Sequence, residues 1–448
     1  MKRTIKNFLN NLLAHLPGYE AKAKNIYRRL RYEKRNLVLK FKILFQKYHI
    51  PDPEQIYWID PNRIMYHTNY IKNDKIDFKD RVFDMVRDKG RVYPGDWDLS
   101  SHKFTDLDVY KAIEQRILHG KEWEETIFYK TELAQIEAGE TTWSCHNRED
   151  WDERCRSLDL LIQSIRENGY VFAHELKSGE GTLGPFLRNE MTEEITVNIG
   201  RDGQYLFQDG RHRLSIAKLL GLKVIPVKVL VRHKKWQELR EELISMTKPN
   251  LGATKFNMLY QPAIHPDLHD IPASHLCEDR FLAMKKSLTF MSGIVLDLGA
   301  NLGYFCHKFE DLGFNCYAIE NDPQITAVAN KIKIAEGKSF NILTSSIFDP
   351  CIQKQILEQH FDIVIALNIF HHFLKTKAIF LQFKKWLPKL SLKTMFFQPH
   401  LHSEEQMNNS YLNFTEEEFV QFILRETSLN DSEIIHKAAD GRHVYRLY

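Results

Sequence analysis

Cysteine is scarce in this chain and never paired: six occur in 448 residues, at positions 145, 155, 277, 306, 316 and 351, with no C-x-x-C spacing. That excludes a zinc cluster or an iron–sulfur motif of the usual spacing. Scattered thiols suit a reducing compartment, so a cytoplasmic location is expected. No apolar run approaches the ~20 residues needed to cross a bilayer, and no secretory leader with a small-residue cleavage site is recognisable. Internal repeats and low-complexity tracts are also missing. What is present is length for two or three domains and 43% hydrophobic residues, ample for packed cores.

The net charge of +3 hides an uneven distribution. Residues 1–50 hold thirteen Lys or Arg against two Glu, a net +11, which leaves −8 on the remainder. Phe8, Leu9, Leu12, Leu13 and Leu16 recur at helical spacing beside Lys2, Arg3 and Lys6. A basic amphipathic helical extension is expected over 1–50, lying peripherally on an anionic membrane surface or packed on its own domain with its charges in water. The acidic remainder argues against nucleic acid as a partner.

The most informative stretch is 293–322, GIVLDLGANLGYFCHKFEDLGFNCYAIEND. Ile294 to Leu296 read as a strand, Asp297 to Gly303 as a glycine-bearing turn opening a helix, and Tyr317 to Ile319 as a second strand ending at Glu320, where a carboxylate can accept both hydroxyls of a ribose. A dinucleotide site wants G-x-G-x-x-G facing a pyrophosphate. Here the turn is Asp297-x-Gly299-x-Asn301-x-Gly303, whose leading acid repels phosphate and suits a cationic amino acid moiety. With that motif, residues 255–448 resemble the class I S-adenosylmethionine (SAM)-dependent methyltransferases.

The resemblance implies a Rossmann-like doubly wound sheet with SAM as cofactor. The corresponding positions are Asp297, Gly299, Ala300, Asn301, Gly303, Tyr304, Glu320 and Asn321, then Ser346 and Ile347 after a third strand at Phe340–Leu343, and Asn368 after a fourth at Phe361–Leu367. The acid often found beside the adenine is displaced here to Asp349. His371 and His372 follow the fourth strand, where ligands collect in such sheets, and either could remove a hydroxyl proton as the catalytic base. No N/D-P-P-Y/F or Pro-Cys sequence follows that strand, which disfavours amino-methylation of adenine or cytosine and cytosine C5 chemistry. O-methylation, or N-methylation, of a small molecule or glycan remains. The lead-in 258–272 supplies Tyr260, Gln261 and His265 as expected substrate contacts. The run after a fifth strand at Met395–Phe397 adds His400. The terminal GRHVYRLY resembles the family's last strand.

Residues 195–233 form a second unit. Alternation in Ile195–Ile199 and Tyr205–Gln208 reads as a hairpin about the Asp202-Gly203 turn, followed by a helix Leu214–Leu220 capped by Gly221 and a strand Val224–Val231. The tip Asp209-Gly210-Arg211-His212-Arg213 resembles that of the ParB/sulfiredoxin superfamily, with Leu158–Asn168 as the preceding helix and Ile56–Ile64 as the opening strand. The resemblance implies an α+β domain that binds ATP, CTP or another phosphate at those five residues; no tip cysteine supports a sulfinic acid reductase. Arg232, His233 and Trp236 could add cations and a stacking ring. Asp96 and Asp98 flank Trp97 in a pattern suited to a sugar, a metal or a buried ring.

The expected organisation is therefore a basic extension (1–50), a ParB-like domain (51–240) with an insertion at about 72–150, a linker and lead-in (241–290) starting near Lys248-Pro249, and a methyltransferase domain (291–448). Competing readings are a nucleotide-switched nucleic-acid-binding module with an auxiliary methyltransferase, a ParB-like kinase coupled to methylation in surface-polysaccharide synthesis, and a silent SAM-binding scaffold.

Overall fold

The structure is a computed structural model that describes residues 48–68, 82–172, 194–248 and 258–448. Nearly all of the expected basic extension, the start of the insertion and the seam at 249–252 lie outside the described residues. Residues 53–448 form one compact unit.

The N-terminal part is built on a mixed sheet. Its short strands are β1 (Tyr57–Ile59), β2 (Tyr66–His67) and β3 (Arg91–Tyr93), and its main ones are β4 (Ile195–Ile199), β5 (Tyr205–Asp209) and β6 (Ile225–His233). The order is β1-β6-β4-β5-β2, with β3 also on β6. All five residues of β4 are buried, which is why a β-branched ITVNI run forms a central strand. The Arg211–Leu219 helix begins directly after β5. A longer one, Arg148–Asn168, is capped by the Asn147 side chain on the Asp150 amide and stops at Gly169. The insertion supplies β3 and the helices Asp108–His119 and Ile127–Glu137.

The C-terminal part contains β7 (Ile294–Leu298), β8 (Asn315–Glu320), β9 (Asn341–Thr344), β10 (His360–Leu367), β11 (Ser391–Gln398), β12 (Ser432–Lys437) and β13 (His443–Leu447). They form one seven-stranded sheet in the order β12-β13-β11-β10-β7-β8-β9. Strands β7 to β11 run parallel, and β13 is antiparallel to β11. This is the expected Rossmann-like doubly wound sheet. The edge strand β12 was not anticipated, because its exposure follows no clean alternation. The chain order reverses between β7 and β10, the place where such sheets open a crevice at their carboxyl ends.

The two parts share a core. Val328 and Ile332 of the Pro323–Ala335 helix, which follows β8, and Leu302 belong to the same apolar cluster as Tyr205, Trp236 and Leu239. The lead-in is tied to the N-terminal part by ions. Asp267, fully buried, receives Arg232 Nε at 3.1 Å and Trp236 Nε1 at 2.9 Å, while Arg240 donates to its backbone carbonyl and pairs with Asp270 at 2.8 Å. The two guanidiniums hold the Asp267 carboxyl far below the usual carboxylate range in spite of its burial.

Removing that carboxylate leaves two guanidiniums buried without their counter-charge. Asp267→Ala is expected to cost about 3–5 kcal/mol in urea unfolding. Lys331→Ala, which breaks the more exposed Lys331–Glu242 pair, is expected to leave the midpoint nearly unchanged.

Candidate active site

The turn after β7 is locked to β8: the amides of Gly299 and Ala300 both donate to Ile319 O at 2.9 Å. Gly299 has φ +70°, a left-handed conformation that favours glycine, and a Cβ there would press on the Ile369 side chain, 2.9 Å from its Cδ1. Asn301 and Asn368 adopt left-handed conformations without being glycine, at φ 51° and 56°. Both belong to the loops that face each other across the crevice. Such outliers concentrate where a site must be shaped.

Between these loops lies a cavity of about 730 Å³, within the range of small-molecule sites. Glu320, at the end of β8, stands in its wall with Oε2 on the Asn301 amide at 3.0 Å and Oε1 on the Asn321 and Asp322 amides at 2.8 and 3.1 Å. These bonds fix the carboxylate while each oxygen retains acceptor capacity. Ser346 and Ile347 contribute after β9, and Asn368, His371 and His372 after β10. Tyr260 lines the same cavity from the lead-in, its hydroxyl hydrogen-bonded to Asn368.

Asp297 lies beneath this wall, 3% exposed, and its Oδ2 has no hydrogen-bond partner among the described residues. Burial, reinforced by the charge of Glu320, pushes its carboxyl up to about 8. A cation brought near would favour its ionised form, and SAM carries an ammonium group. Together with the Glu320 geometry, it makes the residues present fit that cofactor.

His371 is buried, with Nδ1 unpartnered among the described residues, and burial brings its imidazole down to about 3. His372 is exposed, and its pKa is lowered by desolvation and by Lys375. Both rings are neutral at physiological pH, with centroids 4.1 Å apart.

Several expected contacts are corrected. His265 does not reach the cavity; its Nε2 donates to Gly203 O at 3.0 Å and its ring stacks on Tyr205, so it fastens the lead-in to the N-terminal part. Gln261 is buried away from the cavity lining. His400 lies behind His371 and bonds Asn413. The Tyr304 hydroxyl is held by Glu278, and neither it nor Ala300 or Gly303 lines the cavity. Asp349 caps the following helix instead of facing the site.

At the N-terminal tip, Arg213 is buried and pairs with Glu194 at 3.0 Å and the Tyr170 hydroxyl at 2.9 Å, so its charge is matched internally. Gly210 adopts the left-handed turn that starts the helix after Asp209. Arg211 and Arg154 lie over the Trp143 ring at 4.7 and 5.0 Å, and His212 packs on the same ring. Arg232 and Trp236 belong to the Asp267 cluster, and His233 bonds Gly95 O. Asp98 and Asp96 are both held by Arg201 at 2.7 Å, which removes the paired carboxylates from sugar or metal binding.

The sequence reading missed Arg442, His275, Gln406 and Asp322, all of which line the cavity. Arg442 pairs with Glu404 at 2.6 Å and reaches Asn368 Oδ1, 74 residues away in sequence, at 3.2 Å. His275 packs its ring on Tyr260 with centroids 4.3 Å apart.

Residues 273–431 match the family model described as "Methyltransferase domain". Similar solved structures include the bifunctional kinase-methyltransferase WbdD, at 16% identity and a TM-score of 0.36, over 43% of this chain and 44% of that one. The chain thus spans less than half of WbdD. Another is an S-adenosylmethionine-dependent methyltransferase from Clostridium acetobutylicum, at 11% identity and a TM-score of 0.30, over 38% of this chain and 89% of that one. A third, the PH0226 protein from Pyrococcus horikoshii, shows 15% identity and a TM-score of 0.30, over 38% of this chain and 88% of that one. No curated protein matches the chain.

The raised Asp297 pKa sets a pH dependence. Its stabilising contribution is complete below the ordinary carboxylate pKa and is lost as pH rises to about 8, because the unfolded chain ionises while the folded one keeps the proton. Asp297→Asn abolishes that slope. Thermal unfolding is expected to show the variant gaining on the parent steadily from pH 5 to pH 8.

Proposed function

We propose that this chain is a SAM-dependent methyltransferase acting on a hydroxyl of a small molecule or glycan. The observation that carries the reading is Glu320, fixed by three backbone amides in the wall of a cavity at the sheet's switch point. When bound, the cofactor supplies an electrophilic methyl group on a sulfonium. Glu320 would accept the ribose hydroxyls; Asp297, buried and outside the cavity lining, would give up its proton more readily once the ammonium group is bound. Tyr260 and His275 wall off water on the lead-in side. Alignment is the main task, since oriented reactants save about 7–11 kcal/mol. His372 is the better base of the pair. It faces the cavity openly, whereas burial has brought His371 to about 3, too weakly basic to take a hydroxyl proton effectively.

Calorimetric titration with SAM tests the reading. Glu320→Ala is expected to weaken binding about 10- to 100-fold, as loss of hydrogen bonds to a charged group does; no binding by the parent protein contradicts it. With labelled SAM and cell-wall or nucleotide-sugar extracts, His372→Ala is expected to slow methyl transfer about 10²- to 10⁴-fold while SAM affinity stays close to the parent's. Equal rates would remove His372 as the base.

A second reading concerns the N-terminal tip, which resembles the ParB/sulfiredoxin superfamily. Burial first, and then the charges of Arg154, Arg211 and Arg213, hold the His212 imidazole well below its ordinary value. Arg211 at the N-terminus of the Arg211–Leu219 helix, where the helix dipole favours an anion, supports a nucleotide or other phosphate there, such as ATP or CTP. Fluorescent ATP or CTP is expected to bind the parent and to lose affinity in Arg211→Ala; unchanged affinity excludes the tip.

A further inference from the structure

The Pro323–Ala335 helix connects two places that the sequence keeps far apart. Its first turn lines the methyltransferase cavity through Asp322, the N-cap, and Ile325. Its last turn meets the N-terminal part. Arg63 Nη2 donates to Glu336 Oε1 at 2.8 Å and to Ala335 O at 3.3 Å, so a guanidinium sits on the carbonyl end of the helix, where its charge and donors are both favourable. The same guanidinium lies over the Tyr205 ring at 5.0 Å. Gly203 is pressed against this end as well: a Cβ there would lie 2.5 Å from the Ala335 Cβ and 2.6 Å from the Trp236 ring. Between the two ends, Val328 and Ile332 are buried in the core that the two parts share. A 13-residue helix is a rigid rod of roughly 20 Å, so fixing one end fixes the other.

We propose that the N-terminal part positions the cofactor wall of the cavity, and that Arg63, through Glu336, is the positioning residue that sets the seating of the Pro323–Ala335 helix and so the affinity for SAM. The inference rests on the SAM reading of the cavity. Arg63 touches neither cofactor nor acceptor; it acts only through the helix. Its side chain is about a quarter exposed.

The test compares parent, Arg63→Ala and Arg63→Lys in the full chain, by calorimetric titration with SAM and by amide hydrogen exchange in the ligand-free protein. Arg63→Ala is expected to weaken SAM binding by roughly 3- to 30-fold, the range of remote coupling effects, and to speed exchange in 322–328 with the thermal midpoint little changed. Arg63→Lys should recover most of both. If the parent binds SAM and Arg63→Ala binds it equally well, the inference is overturned while the SAM reading stands. If the parent does not bind SAM, the reading of the cavity fails. Exchange over 322–328 then decides the positioning claim by itself: unchanged protection in Arg63→Ala overturns it, and faster exchange supports it. A general loss of protection throughout the chain would also overturn it, because Arg63 would then be a stability residue only.

Discussion

Asp267 is the carboxylate on which the relation between the two sheets depends. It is buried between Arg232 and Arg240 and also holds Trp236, so three side chains of the N-terminal part converge on one residue of the lead-in. An ion cluster taken out of water gains little net stability over apolar packing, but it is intolerant of any change in partner or register. That intolerance suits a segment that must arrive at the cavity in one orientation. From Asp267 the lead-in continues to His275, whose ring meets Tyr260 in the cavity wall.

The cavity lining carries two kinds of polar group. Glu320 and Asp322 are its acids; Arg442, His275, His371 and His372 also line it. A cofactor with a cationic amino acid end and a sulfonium matches the acids. The other group is nearly neutral, since its histidines titrate low and Arg442 is balanced by Glu404. Such a lining suits an acceptor that must lose a proton and does not compete for the acids.

The Asp297–Glu320 unit was legible in the sequence because a strand, turn, helix and strand are contiguous and their spacing follows from local geometry. The parallel order of β7 to β11 was legible for the same reason. Arg442 was not: its place depends on an antiparallel strand returning beside β11, and no local pattern marks the residue. Arg213 and His265 were misread for a complementary reason. Each has the residue type of a ligand contact, but Glu194 and Tyr170 satisfy the first and Gly203 the second, and none of these pairings is visible in the motif itself. Asp96 and Asp98 failed as a site because Arg201 arrives from the β4–β5 hairpin.

The most direct measurement of the central claim is ultraviolet cross-linking of methyl-labelled SAM to the intact chain, followed by peptide mapping. The account predicts label in peptides covering 297–303, 319–325 or 367–373, and its loss under competing S-adenosylhomocysteine. Label confined to the Asp209–Arg213 tip, or no competable label at all, would contradict it.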